Sequence, residues 1–439
     1  MAALAPVLRY FQIRERNSTI EREFRGAVAT FLTMAYILFV NPQILSSAGM
    51  SRDVADSLTS CTALAAGVCC LLMGLVANFP LALASGMGLN AVVVGIALKA
   101  GSWQIAMGLI VLDGLVTLAL VLGGLREAVL NAIPHDLRLA TGAGIGLFIA
   151  LIGLVNAGIV VKTPLFHPEP VAPGSWHHSE TAVALIGLLI TAVLIARKVR
   201  GALVIGIVLT TLIAFPFHVT QLPREFHLPS FRAAFHADVV GALRWRPMVP
   251  MLFAVIMVDF FDTLGTATAI AEEGGLIDEH GRIPGIRQIL AIDSLSAAIG
   301  GMLGASSVTA YIESAAGVAE GARTGLHTVL VGVFFLVAIF LAPLAGVVPA
   351  AATAPALILV GFLMISQAAR IEFDRLETAI PAFLTLVTIP LTYSIAHGIG
   401  YGFITFVAIK LAAMKPREVS PLMYVVSAAF AAYFIWGQT

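Results

Sequence analysis

The sequence predicts an all-α integral membrane protein of about 14 transmembrane helices, and three observations carry that prediction. Of the 439 residues, 59% are hydrophobic and only 11% charged. The apolar residues fall in successive runs of helix-spanning length, and Lys and Arg are unevenly shared between the connections. A soluble domain carries about a quarter charged residues; with this composition it would leave large apolar areas facing water, where they associate. The lipid bilayer is therefore the solvent and the first partner. Crossing the hydrocarbon takes roughly 20 apolar residues, and the cost of unpaired backbone groups there excludes open sheets.

Spans are expected near 24–45, 57–78, 81–99, 103–122, 137–155, 181–197 and 201–217, then near 249–269, 287–303, 307–322, 325–344, 349–367, 378–393 and 397–414. The two groups hold seven each. Another apolar segment, 419–436, either spans, lies along the interface, or means that two earlier segments make one broken helix.

Charge and cysteine content exclude other classes. Lys plus Arg equals Asp plus Glu at 25 each, so no basic surplus points to nucleic acid. Cys61, Cys69 and Cys70 share one apolar stretch and read as small buried hydrophobes rather than a disulfide framework. No small-residue cleavage site follows the first apolar run, against a removable signal peptide.

Cations near span ends stay on the cytoplasmic side. With the N-terminus inside, that side collects Arg9, Arg14, Arg16, Arg22, Arg25, Arg126, Arg138, Arg197, Lys198, Arg200, Arg282, Arg287, Arg323, Arg370, Arg375, Lys410, Lys415 and Arg417. The long outer connections, near 156–180 and 218–248, look like irregular caps. Their His167, His177 and His178 read as solvated histidines in preference to metal ligands.

Secondary transporters are often built from inverted halves with the substrate at the repeat interface. Ile133-Pro134 opens span five and Val348-Pro349 opens span twelve; Gly146 and Gly361 lie at matching places, and both matches are offset by 215 residues. An odd number of spans per half turns the halves opposite ways across the membrane. Spans three and ten open on small, polar, Gly-rich stretches, Ala84-Ser85-Gly86-Met87-Gly88-Leu89-Asn90 and Gly304-Ala305-Ser306-Ser307-Val308-Thr309-Ala310-Tyr311-Ile312-Glu313-Ser314. Extended backbone at membrane depth is tolerable only when buried in protein or lining a cavity. The helix N-termini that follow would aim N–H groups and positive dipole ends into it. Both therefore read as broken spans, a short extended stretch before a half-helix; small-residue helix packing is the alternative.

Span eight carries Asp259 and Asp262, and Glu313 sits comparably on span ten. Even on the lenient insertion scale a charge at the helix centre costs roughly 2.5–3.5 kcal/mol, so an acid there is a functional candidate. Spacings of three and four put Asp259, Asp262 and Thr266 on one helical face. A protonatable acid beside a substrate couples a proton gradient to uptake, and Asp262, Glu313 and Asp259 are the candidate proton carriers; a structural carboxyl is the alternative for each. Asn90 either bonds a ligand or fixes its own loop. Asp113 and Asp293 read as structural or relay groups, and Asn41-Pro42 as the end of span one.

These residues resemble a known family, the hypoxanthine, guanine and adenine permeases of the nucleobase and cation symporter group. The resemblance rests on Phe31-Leu32-Thr33-Met34-Ala35-Tyr36-Ile37 with Asn41-Pro42, on Ser85-Gly86-Met87-Gly88-Leu89-Asn90 and on Asp259-Phe260-Phe261-Asp262-Thr263-Leu264-Gly265-Thr266. It continues through Glu313-Ser314-Ala315-Ala316-Gly317-Val318-Ala319-Glu320-Gly321-Ala322-Arg323-Thr324-Gly325.

The resemblance implies an inverted seven-plus-seven repeat, a homodimer and a bacterial inner membrane location. It also implies a core of spans one to four and eight to eleven beside a gate formed by the rest. On that plan residues 1–23 are a cytoplasmic segment, 24–122 and 249–344 the two core halves, 123–217 and 345–439 the two gate halves, and 218–248 an extracytoplasmic connection. Asp262, Glu313 and Asn90 fall where the family recognises a purine, flanked by Gly88, Thr266 and Ser314. Carboxylates accept from purine N–H groups while half-helix backbone donors meet its acceptors; Phe261 and Tyr311 stack on the ring or pack in the core.

The leading expectation is thus a proton-coupled purine importer that moves its core against its gate, with no metal and no cofactor. A same-fold anion transporter of the sulfate or bicarbonate kind is the rival, opposed by two acids that would repel its cargo. An intramembrane enzyme is remote, because there is no HExxH helix, Cys/His cluster or evident nucleophile. A passive channel needs a continuous polar path, whereas the polar residues concentrate at one depth.

Overall fold

A computed structural model of the chain describes residues 5–124, 132–163, 171–220, 228–278, 282–342 and 346–436. The side chains of Phe261, Asp262 and Leu264 lie outside the described residues, as does His167. In chain order the first elements are α1 (Ala5–Tyr10), α2 (Ile20–Met34), α3 (Ile37–Ser46), α4 (Arg52–Ala55), α5 (Leu58–Leu72), β1 (Leu83–Ser85), α6 (Met87–Ala100) and α7 (Trp103–Leu122). There follow α8 (His135–Asn156), β2 (Val160–Lys162), β3 (Val171–Pro173), α9 (Ser179–Ala196), α10 (Ala202–Ala214), α11 (Val239–Arg244) and α12 (Met248–Glu273). The remainder are α13 (Ile286–Met302), β4 (Val308–Ala310), α14 (Ser314–Ala319), α15 (Gly325–Ala338), α16 (Ala350–Ile365), α17 (Leu376–Thr392), α18 (Ile395–Ala412) and α19 (Pro421–Trp436).

Among the described residues, seven helical stretches are long and apolar enough to cross a membrane: Ile20–Ser46, Arg52–Ala77, Trp103–Leu122, His135–Asn156, Ser179–Ala196, Ala350–Arg370 and Ile395–Ala412. Shorter apolar helices cover Met87–Ala100, Ala202–Ala214, Met248–Phe260, Gly325–Leu341, Leu376–Thr392 and Pro421–Ile435. The expected span at 307–322 holds instead a three-residue strand and the six-residue helix α14.

The chain divides into two compact units, one of Met1–Gly124, Glu225–Met248 and Asp262–Ala345, the other of Leu125–Arg224, Val249–Phe261 and Gly346–Thr439. In the first unit the opening span breaks at Ala35 and Tyr36 and resumes as α3, which carries Pro42 inside it. Asn41-Pro42 therefore does not end the span. The helix runs on to Ser46, because neighbouring groups in a membrane bundle can satisfy the backbone that a proline disturbs. A further buried acid, Glu23, accepts from the Ser18 hydroxyl at 2.5 Å and from the backbone N–H groups of Arg323 at 2.9 Å and His327 at 3.2 Å. It thereby satisfies amides at the start of α15 that have no partner within their own helix.

The first unit is held close by glycine. A Cβ on Gly26 of α2 would lie 2.7 Å from Ala322 Cβ and 2.8 Å from Gly317 O. One on Gly114 of α7 would lie 2.4 Å from Ala298 N on α13. Such backbone approach supplies the van der Waals packing that holds helices together when lipid removes the hydrophobic drive between them.

In the second unit the same device joins the two residues matched by the repeat. A Cβ on Gly146 would meet Gly361 O at 2.9 Å, and one on Gly361 would meet Gly146 O at 2.5 Å and Ala150 Cβ at 2.6 Å. Helices α8 and α16 thus touch through these two glycines. Helix α19 packs through Phe430, whose ring centroid lies 4.9 Å from that of Phe253 and 5.7 Å from that of Phe403. At the other end of α18 the buried Lys410 meets Glu377 and, at 2.6 Å, Glu418.

Gly361→Val places two methyl groups where no Cβ fits. Overpacking of this kind costs typically 1–3 kcal/mol, so the detergent-purified variant should melt several degrees below the unaltered protein in a thermal unfolding assay.

Candidate functional site

Two extended stretches cross in the interior of the first unit. Strands β1 and β4 run antiparallel with Leu83 opposite Ala310, Ala84 opposite Thr309 and Ser85 opposite Val308. The pairing extends beyond the strands. Gly86 N donates to Ser307 O at 2.8 Å, Tyr311 N to Ala82 O at 3.0 Å, and Ala82 N to Ser314 Oγ at 2.9 Å. Every residue of both strands is buried, and backbone groups without water must find protein partners. Each strand supplies them to the other. Gly86 is required by the same approach, since a Cβ there would lie 2.7 Å from Thr309 Cγ2. Beyond the crossing each strand leads into a helix, β1 into α6 and β4 into α14.

The side chains at the crossing form two groups. Glu313, at the N-cap of α14, accepts at Oε1 from the hydroxyl of the buried Tyr36 at 2.6 Å. Asn90, at the end of the first turn of α6 and fully buried, receives Ser85 Oγ at its Oδ1 at 3.0 Å and donates from Nδ2 to Asn41 Oδ1 at 2.7 Å. Asn41 in turn donates to Thr62 Oγ1 at 2.8 Å and to Ala305 O at 3.2 Å. Tyr311 donates its hydroxyl to Ser85 O at 2.5 Å, so its polar tip serves the strand pair. Span one therefore touches both candidate recognition side chains, through Tyr36 at its break and Asn41 within α3.

Helix α12 reaches the same crossing. Thr263 Oγ1 lies 3.0 Å from Thr309 Oγ1 of β4 and donates to Asp293 Oδ2 of α13 at 2.7 Å. The backbone of Asp262 precedes this tether by one residue; the side chains of Asp262 and Phe261 lie outside the described residues. Asp259 and Thr266, on the same helix, are buried. Gly88 lies buried in the first turn of α6. Asp113 accepts from Thr117 at 3.5 Å, one turn along α7.

Of the residues picked from sequence, Glu313, Asn90, Ser314 and Tyr311 come together around one strand pair. Tyr36, Asn41, Thr62 and Ser85 complete it. Among the described residues no group of three or more His, Cys, Asp or Glu is placed to hold a metal ion, and His177 and His178 are exposed.

A permease family model matches residues 22–400. The chain belongs to that family. It is a multi-pass membrane transporter and not an enzyme. It is 39% identical to the guanine/hypoxanthine permease PbuG of Bacillus subtilis over 443 residues, covering 97% of this chain and 99% of that protein. It is also 39% identical to the adenine permease AdeP of Escherichia coli over 426 residues, covering 96% and 94%. Among solved structures it resembles the transmembrane domain of a cyanobacterial bicarbonate transporter, with TM-score 0.62 at 16% identity, covering 86% of this chain and 97% of that one. The murine anion transporter Slc26a9 in its inward-facing state gives TM-score 0.59 at 12% identity over 96% of this chain and 69% of that one. At such identities the likeness is one of fold.

Tyr36→Phe removes the donor to Glu313 Oε1 without changing the ring. Leaving a buried acceptor unmet costs roughly 1–3 kcal/mol, so the purified variant should show a lowered unfolding midpoint in detergent, and an unchanged midpoint would contradict the bond.

Proposed function

We propose that the chain imports purine nucleobases, hypoxanthine and guanine foremost, with adenine or xanthine as further candidates, by proton symport. The observation that carries the reading is that Glu313 and Asn90 follow the two strands of the buried β1–β4 pair, each held by a side chain of the first span, in a chain related over nearly its whole length to guanine/hypoxanthine and adenine permeases. A purine ring presents N–H donors and ring or exocyclic acceptors on its edges. Glu313 accepts from the donors, and Asn90 offers both a donor and an acceptor. Asp262 of α12 is the second acid of the site, and Asp259 a further candidate proton carrier; Gly88, Thr266 and Ser314 flank the ring, and Phe261 and Tyr311 supply aromatic surface.

Proton coupling follows from carboxyl groups at this depth. A carboxylate in hydrocarbon surroundings is costly, so taking up a proton with the substrate neutralises the site for the inward step, and losing both on the inner side resets it. The same carboxyls disfavour a sulfate or bicarbonate cargo. In this reading the interrupted stretches at 81–99 and 307–322 are broken spans three and ten of an inverted seven-plus-seven array of 14. The core holds spans one to four and eight to eleven, and the gate the remainder. The N-terminus faces the cytoplasm of a bacterial inner membrane, as the cation distribution supports, and the unit of assembly is a homodimer.

Glu313→Ala and Asp262→Ala should each abolish uptake of radiolabelled hypoxanthine into vesicles, and a protonophore should collapse accumulation by the unaltered protein. Undiminished uptake in either variant would remove that acid from the site, and accumulation that survives the protonophore would rule out proton symport.

A further inference from the structure

The carbonyl of Ala305 imposes a direction on two side chains that are otherwise ambiguous. An asparagine amide has a donating end and an accepting end of nearly equal shape. Asn41 Nδ2 lies 3.2 Å from Ala305 O, which can only accept, and 2.8 Å from Thr62 Oγ1, whose own proton goes to Leu58 O at 2.6 Å. Both neighbours accept, so both amide hydrogens of Asn41 are engaged and its Oδ1 is the end that faces Asn90. Only Nδ2 of Asn90 can then donate across the 2.7 Å contact. Asn90 Oδ1 is consequently turned toward Ser85, 3.0 Å away. Ser85 has one proton and two acceptors within reach, Asn90 Oδ1 and, at 2.7 Å, Ala305 O. Among the described residues, Asn90 keeps one amide hydrogen and lone-pair capacity on Oδ1, in an order set from Ala305 through Asn41.

We propose that Asn41 is a specificity-determining positioning residue: through this chain it pins the amide of Asn90 so that its donor and acceptor match one six-position edge of a purine and oppose the other. The inference rests on the purine reading above. A 6-oxopurine presents an exocyclic acceptor beside a ring N–H; a 6-aminopurine presents an exocyclic donor beside a ring acceptor. The two edges are mirror patterns, and turning an amide over exchanges one match for the other. A pinned amide sets donor against donor with the wrong base, leaving buried polar groups unmet, which is the strong form of discrimination. An unpinned amide turns to suit either.

KM and Vmax for hypoxanthine and adenine, measured in proteoliposomes carrying the full chain, test this. In the unaltered protein the two KM values should differ by about tenfold or more. Asn41→Ala should bring them to within about threefold of each other, whatever the change in Vmax, because the amide of Asn90 is then free to turn over. Thr62→Val keeps the side-chain shape and removes one of the two acceptors that orient Asn41, so it should narrow the ratio part of the way. A purely structural role would lower both Vmax values together and leave the ratio intact. Full discrimination retained by Asn41→Ala overturns the proposal; where that variant is not recovered folded, an unchanged ratio in Thr62→Val does so. So does an unaltered protein whose two KM values lie within about threefold of each other. Failure of the unaltered protein to transport any purine is a different result, which removes the substrate reading itself.

Discussion

A buried backbone must be hydrogen-bonded, and the first unit of this protein is organised around meeting that demand away from a helix. Residues 83–85 and 308–310 are extended and enclosed. In hydrocarbon an unpaired N–H or C=O costs several kcal/mol. The solution is reciprocal: each stretch is the other's partner, and the flanking amides of Ala82, Gly86 and Tyr311 are drawn into the same ladder. The small residues of both stretches follow from that approach, as does the glycine at 86.

Placing the candidate recognition groups follows from the crossing. Where a strand ends and a helix starts, side chains leave the backbone close to the partner strand, and Glu313 and Asn90 both lie just past such a point. Neither is left to its own rotamer preferences. Tyr36 and Asn41, five residues apart on the first span, each hold one of them. The first span thus does for the side chains what the strand pair does for the main chain. Pre-organised polar groups lose less freedom when a ligand arrives, so side chains held in this way are suited to discriminating by geometry in preference to bulk affinity.

Much of this was legible in the amino-acid order. Acids in apolar segments stand out because burial is costly for them, which makes Glu313 visible; Gly-rich openings mark the two interrupted stretches. Asn-Pro is a turn signal in water, so the pattern marks Asn41 as a helix terminator, whereas within a membrane bundle α3 continues past it. Tyr36 lies inside a motif that carries the family resemblance, but nothing local gives it a role, since its partner lies 277 residues away. Glu23 escaped notice for a related reason: it begins an apolar run beside exposed charges, and only the fold shows that it closes the start of α15. The six-residue length of α14 was also hidden, because a run of small apolar residues from 314 onward reads as the beginning of a full span.

The antiparallel ladder takes one strand from each half of the chain, and this constrains how the protein is made. A ribosome finishes residues 83–85 long before it reaches 308–310, so the earlier strand enters the bilayer with its hydrogen-bonding edge incomplete. Water, lipid headgroups or the insertion machinery must serve as temporary partners until the later strand arrives. Neither half synthesised by itself can close its interior. Closure of the first unit's interior therefore waits on a docking step between strands made far apart in time, which no local folding of either half can replace.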